Sequence, residues 1–121
     1  MYNVDFTGVD DNATFILNAG MSENDIGKVV SMQAEKTVRN AIVNEKFLGV
    51  LTTVDRDNYG GTVSQRGYHR VSYNGTAPVR GYNFLTANGA GGVRVGTSAT
   101  GRDLLVVSVD TANLTAVIYL G

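Results

Sequence analysis

Several residue types that carry common chemistries are scarce in this sequence. The 121 residues include no cysteine, no tryptophan, one proline and one histidine. The lack of cysteine excludes disulfide frameworks, thiolate zinc sites and cysteine nucleophiles together, and it leaves the redox compartment open. All imidazole chemistry would have to come from His69.

The sequence also lacks a large excess of charge of either sign and any long apolar run. Ten Lys and Arg against eleven Asp and Glu give a net charge of −1, so no basic field would hold nucleic acid or an anionic membrane. No stretch approaches the roughly 18 to 20 apolar residues that cross a bilayer, and residues 1–5 lack the features of a signal peptide. We therefore expect a soluble chain without an export signal, and neither nucleic acid nor a membrane as partner.

Glycine, by contrast, is abundant, with 15 residues set among many Val, Thr and Asn. This composition is typical of short strands joined by tight turns. The length suffices for one core, so we expect one all-β domain, a small antiparallel β-barrel or sandwich. Strand-like segments with turn residues between them occur at 2–7, 14–17, 28–33, 37–41, 46–54, 61–65, 67–73, 83–86, 92–95, 104–109 and 115–120.

Two local features lie near the N-terminus. Alternation over residues 2–7 places Tyr2, Val4 and Phe6 on one face of an extended segment. Ser22 could cap a brief helical turn, but no apolar stripe follows at helical spacing, so we interpret residues 22–25 as a connection. We divide the single domain into an N-terminal arm and strand, 1–25, and a β-barrel or sandwich, 26–121.

A weak internal repeat runs through the chain. Val38-Arg39 matches Val93-Arg94, and the pair at 54–55 matches the pair at 109–110, so 93 − 38 and 109 − 54 both equal 55. This offset predicts two similar halves, each with its own sheet.

Motifs for metal and catalytic chemistry are incomplete. Asp55 and Asp57 resemble the start of a calcium loop, but Arg66 stands where a bidentate Glu is needed, so we expect a polar turn and no metal site. Ser64, Ser72 and Asp55 could in principle act with His69, yet no local signature supplies a nucleophile, base and orienting carboxylate. We predict no catalytic residues and no cofactor.

One segment combines basic and aromatic side chains. Alternation puts His69, Val71 and Tyr73 on one strand face and Tyr68 and Arg70 on the other. A single-stranded nucleic-acid groove would use such residues, but with near-zero net charge a protein interface is favoured. The candidate contact residues are Arg66, Tyr68, Arg70 and Tyr73, together with Tyr2, Val4 and Phe6 of the arm.

Six stretches of the sequence carry a distinctive pattern of strands and turns, at 25–30, 47–51, 63–67, 73–78, 81–85 and 101–110. Over residues 26–120 this pattern resembles that of capsid decoration (cement) proteins of tailed bacteriophages. In that family a Gly-Lys-x-Val strand leads to a hydrophobic-Gly-Val strand and an Arg-Gly strand, and the domain closes on a Val-x-x-Asp hairpin.

The resemblance implies a non-enzymatic virion protein, made in the bacterial host cytoplasm, that binds the outer surface of the expanded capsid. It implies a homotrimer with the major capsid protein as partner, and an N-terminal arm that contacts the capsid or a neighbouring subunit. Two alternatives stay open. One is a tail or baseplate β-module that binds protein or carbohydrate through an aromatic platform, and the other is a small hydrolase.

Overall fold

The computed structural model describes residues 12–120, so Tyr2, Val4, Phe6 and the strand predicted at 2–7 lie outside the described residues. The described part is almost entirely β, which confirms the predicted all-β class. Its strands are β1 (Asn12–Leu17), β2 (Val29–Ala34), β3 (Thr37–Asn40), β4 (Gly49–Val54), β5 (Gly60–Ser64), β6 (Gly67–Ser72), β7 (Gly81–Ala87), β8 (Val93–Val95), β9 (Arg102–Asp110) and β10 (Thr115–Leu120).

The first five strands form a closed barrel in the order β1-β3-β2-β4-β5. We call this the first barrel. Its pairings are antiparallel except β1 with β3, which run parallel with Ile16 opposite Thr37 and Leu17 opposite Val38. The hairpin turns in the sequence predicted only antiparallel strand pairs. The parallel pairing of β1 with β3 is the seam that closes the barrel. β1 lies within the predicted N-terminal segment 1–25 and is a full member of the barrel.

The last five strands form a second sheet in the order β6-β10-β9-β7-β8. All its strand pairings are antiparallel. Its two outer strands, β6 and β8, meet only at a parallel bridge between Tyr73 and Val93. This bridge corresponds to the β1–β3 seam of the first barrel, so the two halves share one strand order.

The residue register supports the predicted repeat. An offset of 55 maps β2, β3, β4 and β5 onto β7, β8, β9 and β10, and an offset of 56 maps β1 onto β6. Both β4–β5 and β9–β10 shift register at equivalent points, where Thr52 and Val107 have no opposite partner. The interior positions match in the same way, and the buried pairs are Phe15 and Val71, Leu17 and Tyr73, Val30 and Leu85, Val38 and Val93, Leu51 and Val106, and Val63 and Ile118.

The two halves are packed together by a shared apolar core. One buried cluster fills the first barrel, whereas a larger one combines the inner side of the second sheet with Val29, Ala41, Phe47 and Val50 of the first half. Backbone hydrogen bonds reinforce this contact, since the Asn44 N–H donates to the Ala87 carbonyl at 2.9 Å. The inner side of the second sheet therefore packs against the first barrel.

The connection predicted at residues 22–25 contains a short 3₁₀ helix, Glu23–Asp25, so that interpretation was wrong in detail. Ser22 accepts a hydrogen bond from the Asn24 N–H, and the Asp25 carboxylate accepts one from the Ser22 N–H. This reciprocal capping satisfies the free backbone donors of one turn without an apolar stripe.

Candidate functional site

The predicted contact residues separate in the structure. Tyr68 and Arg70 are exposed on β6, and Arg66 is exposed in the turn before it. Tyr73 is only 4% exposed and lies in the core, so its assignment to a contact surface is corrected. Tyr73 follows β6 on its inward-facing side and occupies the position that Leu17 fills in the first barrel.

An exposed row of side chains crosses four strands of the second sheet. Tyr68 lies opposite Tyr119, Tyr119 opposite Leu105, and Leu105 opposite Tyr82. Directly opposed residues point to the same side of a sheet, so the four side chains form one continuous row. The exposed fractions are 64% for Tyr68, 37% for Tyr119 and 71% for Tyr82.

Neighbouring side chains widen this row into a surface. Arg70 lies two residues beyond Tyr68, and Phe84, which is 40% exposed, lies two residues beyond Tyr82. The surface faces away from the first barrel, because the opposite side of the same strands supplies the shared core. We call it the tyrosine face, and define it by Tyr68, Arg70, Tyr82, Phe84, Leu105 and Tyr119.

The ring geometry of the tyrosine face bears on its chemistry. The Tyr68 and Tyr119 ring centroids are 4.9 Å apart, and the ring planes are tilted by 52°. A sugar ring stacks on an open, flat aromatic face, whereas tilted tyrosines present edges, hydroxyls and apolar surface together. Such mixed surfaces are characteristic of the aromatic centres of protein interfaces.

Arg70 is held in place at the edge of this face. Its Nη1 donates a hydrogen bond to Thr115 Oγ1 on the adjacent strand at 3.0 Å. The guanidinium therefore lies along the sheet surface, where it can offer its remaining donors to a partner's carboxylates. Arginine beside exposed tyrosine is the combination that contributes most at protein contacts.

Ser64 and His69 are brought together at the turn between β5 and β6. His69 Nε2 lies 2.8 Å from Ser64 Oγ and 3.2 Å from the Arg66 carbonyl oxygen, and the Ser64 hydroxyl donates to that same carbonyl at 2.8 Å. Because the serine hydroxyl donates its proton to the carbonyl, the Ser64 and His69 side chains together stabilise the turn between β5 and β6. Within residues 12–120, the hydrogen bonds of the His69 ring go to these two partners and to no carboxylate.

Two carboxylates organise polar networks in the first half. Asp25 is buried, which opposes its ionisation, but hydrogen bonds from Ser22, Lys28 and Asn40 outweigh burial and lower its pKa. Partial burial also opposes the ionisation of Glu45, but hydrogen bonds from Ser31, from the Ile42 N–H and from Arg39 outweigh it and lower the pKa.

The calcium-like segment forms a compact turn. The Asn58 N–H donates to the Asp55 carbonyl at 2.9 Å, and the Asp57 carboxylate accepts from the Tyr59 N–H at 3.0 Å. Across the described residues, no group of three or more His, Asp or Glu side chains is arranged to hold a metal ion. The same part of the chain contains no helix that is long and apolar enough to span a membrane.

Sequence reasoning missed four of the six residues of the tyrosine face. Tyr82, Phe84, Leu105 and Tyr119 were not singled out, although their strands were predicted. Alternation along one strand would have put Tyr82 and Phe84 on the same side of β7. The matching of Leu105 on β9 with Tyr119 on β10 depends on how the strands pair. The order β6-β10-β9-β7, which makes them neighbours, is not visible in the sequence.

No protein-family model matches the sequence, and no curated protein shows significant similarity to it.

Proposed function

We propose that this protein is a capsid decoration protein of a tailed bacteriophage. It binds the outer surface of the expanded capsid as a homotrimer and stabilises the shell by bridging copies of the major capsid protein. It is made in the bacterial host cytoplasm and resides on the virion. Two observations support the proposal: the resemblance in strand and turn pattern, and the tyrosine face, which is suited to protein contacts.

The observation that carries the proposal is the row Tyr68, Tyr119, Leu105 and Tyr82. Cross-strand pairing fixes the backbone positions of the four residues, so their side chains share one side of the sheet. Aromatic and apolar side chains gathered on one side of a sheet commonly mark an interaction site. An aromatic surface of this kind suits a protein that acts by contact.

The fold supports the same role. Within residues 12–120 the two halves share a buried core, so they are packed as one unit. One packed unit in a symmetric oligomer can combine several modest contacts by avidity, as bridging between capsid subunits requires.

Co-sedimentation with undecorated, expanded capsids tests the proposal. We expect saturable binding, with the unexpanded shell as the negative control. Tyr82→Ser should weaken binding at least about tenfold, the effect of losing one central contact. The matched control Ala112→Ser, at an exposed position in the β9–β10 turn, should bind as the unmodified chain does. A chain that stays in the supernatant with expanded shells contradicts the proposal.

The tyrosine face also favours a second candidate, the tail or baseplate β-module. That alternative predicts an aromatic platform, and Tyr68, Tyr82 and Tyr119 provide aromatic surface. It differs in its partner, since binding would occur to tail proteins or cell-surface glycans and not to the expanded shell. Pull-down on isolated tails and a glycan array, run beside the capsid assay, separates the two candidates.

A further inference from the structure

One edge of β6 is open along most of the strand. On its other edge, β6 pairs with β10 over its whole length, Gly67–Ser72. On the open side, and within residues 12–120, the second sheet closes only at the bridge between Tyr73 and Val93. Between residues 67 and 71 no strand of this part of the chain pairs with that edge.

This edge presents backbone donors and acceptors. The Tyr73 N–H donates to the Leu114 carbonyl, just before β10, at 2.9 Å. Successive residues of an antiparallel strand direct their backbone groups to opposite edges, so the odd-numbered residues of β6 face β10. The N–H and C=O groups of Tyr68 and Arg70 therefore point to the open edge. Such a row of backbone groups is a template for an added strand.

The side chains beside this edge suit an apolar strand. Tyr68 is 64% exposed and ends the row that runs through Tyr119 and Leu105 to Tyr82. A strand added to β6 places every second side chain next to Tyr68, on the tyrosine face. The apolar row then continues onto one more strand.

One segment of the chain has the matching pattern. Residues 2–7 alternate, with Tyr2, Val4 and Phe6 on one side of an extended segment. These six positions equal the length of β6, which has 6 residues. The segment can therefore cover the edge with three large apolar side chains on the tyrosine face.

Charge favours the same pairing. Residues 1–11 contain three Asp and no Lys or Arg, whereas residues 65–72 contain Arg66 and Arg70 and no Asp or Glu. Both arginines are exposed. An acidic segment and a basic strand edge attract each other, and this attraction selects partner and register.

The position of Asn12 favours an arm from another copy. At the end of β5, Asn12 pairs with Ser64 on one side and Val50 of β4 pairs with Ser64 on the other. The open edge of β6 lies on the β4 side, because the β7–β8 turn beside it accepts a hydrogen bond at the Gly91 carbonyl from the Val29 N–H, and Val29 pairs with Val50. An arm that leaves from Asn12 starts on the opposite side of its own chain.

We propose that residues 2–7 of one copy add as a strand to the β6 edge of a neighbouring copy. The arm pairs with the backbone of Tyr68 and Arg70, and its apolar side chains extend the tyrosine face, which leaves the Tyr82 end for the capsid. Each copy donates one arm and accepts one, so the contact is head-to-tail and closes into a ring when the rotation between copies permits. The inference deepens the proposed function, because it rests on the self-association proposed there and names the segments that make it.

Disulfide trapping tests the contact, and the absence of native cysteine makes every cross-link assignable. Full-length Tyr2→Cys, Val4→Cys and Phe6→Cys chains are each co-expressed with a size-tagged, full-length Tyr68→Cys chain and oxidised mildly. The control acceptor is tagged Tyr82→Cys, which is 71% exposed on the same face but lies away from the β6 edge. At one arm position or more we expect a mixed disulfide at least about fivefold above the control, since a paired strand raises the effective concentration. Control-level yields at all three positions overturn the inference.

A doubly substituted chain separates exchange from pairing within one molecule. Tyr68→Cys is combined on one chain with the arm substitution of highest yield. We expect covalent oligomers after oxidation, because each arm reaches a neighbour. A monomer closed by an intrachain disulfide, together with no mixed disulfide between separate chains, overturns the exchange between copies.

Amide hydrogen exchange tests the backbone pairing itself. In the associated full-length protein, the Tyr68 and Arg70 amides should exchange at least about tenfold more slowly than in Phe6→Asp, whose arm cannot cover the apolar row. The His69 and Val71 amides face β10 and should be protected in both proteins. Fast exchange of Tyr68 and Arg70 in the associated protein contradicts strand addition.

The outcome is separable from that of the proposed function. If the chain binds expanded capsids and no arm position forms the disulfide with Tyr68→Cys, the strand exchange is wrong and the decoration role stands. If the disulfide forms and expanded capsids are not bound, the decoration role is wrong and the contact between copies stands.

Discussion

Gly92 shows how a single residue controls the seam of the second sheet. A Cβ at this position would clash with the Ser72 carbonyl oxygen, so the chain just before β8 approaches the end of β6 backbone to backbone. Because the clash is with backbone, it cannot be relieved by a side-chain rotation. The seam at Tyr73 and Val93 therefore depends on the missing side chain.

We predict that Gly92→Ala lowers the free energy of unfolding by about 1 to 3 kcal/mol, the usual cost of forced overpacking. Urea unfolding followed by circular dichroism measures it. Ser98→Ala, at an exposed position in the loop after β8, is the control and should change stability by less than about 0.5 kcal/mol. Equal stability of Gly92→Ala and the unmodified chain would show that β8 does not approach β6 this closely.

Two hydrogen-bonded carboxylates predict a direction for the pH dependence of stability. Asp25 and Glu45 have pKa values below their ordinary values of 3.8 and 4.5. A lowered folded-state pKa stabilises the protein above the unfolded-state pKa, and this stabilisation is lost as the pH falls through the folded-state value. We expect constant stability from these groups near neutral pH and a decline below about pH 4.

Asp25→Asn tests this at one residue. We expect it to lower the free energy of unfolding at pH 7 by about 1.5 to 3 kcal/mol, because charge-assisted hydrogen bonds are lost, and to flatten the acid dependence. Urea unfolding at pH 7 and pH 3 gives both quantities, with Glu35→Gln as the exposed control. A variant with an unchanged acid slope would mean that Asp25 is not responsible.

At the scale of elements, alternation and turn chemistry predicted most strands to within a few residues. Strand 115–120 is predicted and observed with the same bounds, and β6 ends one residue before its predicted end. The parallel β1–β3 pairing was not predictable, because it joins strands that are not consecutive and has no turn of its own. The tyrosine face depends on strand order in the same way, which is why only its β6 part was found.

The N-terminal arm gives a prediction about a whole segment. Tyr2, Val4 and Phe6 carry an apolar face that would be costly to expose, at about 1.5 to 3 kcal/mol for each side chain buried. We expect deletion of residues 1–7 to preserve the fold and most of the thermal stability while trimers or capsid binding are lost. Circular dichroism melting and analytical ultracentrifugation measure the two effects. An unfolded product, or one that assembles and binds normally, contradicts an intermolecular arm.

At the scale of the whole molecule, the repeat predicts two halves and the shared core predicts that they unfold together. Leu85 is fully buried in the cluster that also contains Val29 and Val50 of the first half. Leu85→Ala should lower the free energy of unfolding by about 2 to 5 kcal/mol. Calorimetry should still show a single transition with equal calorimetric and van't Hoff enthalpies. Two resolved transitions would mean that the halves are independent domains.

We propose that the chain stabilises an expanded phage capsid, and the rupture temperature of that capsid tests this proposal most directly. Differential scanning calorimetry is run on undecorated expanded shells with increasing amounts of the protein. A ligand that binds only the intact shell raises its rupture temperature. We predict a rise of several degrees that saturates with occupancy and is reduced by Tyr82→Ser but not by Ala112→Ser. An unchanged rupture temperature in excess protein would contradict the account.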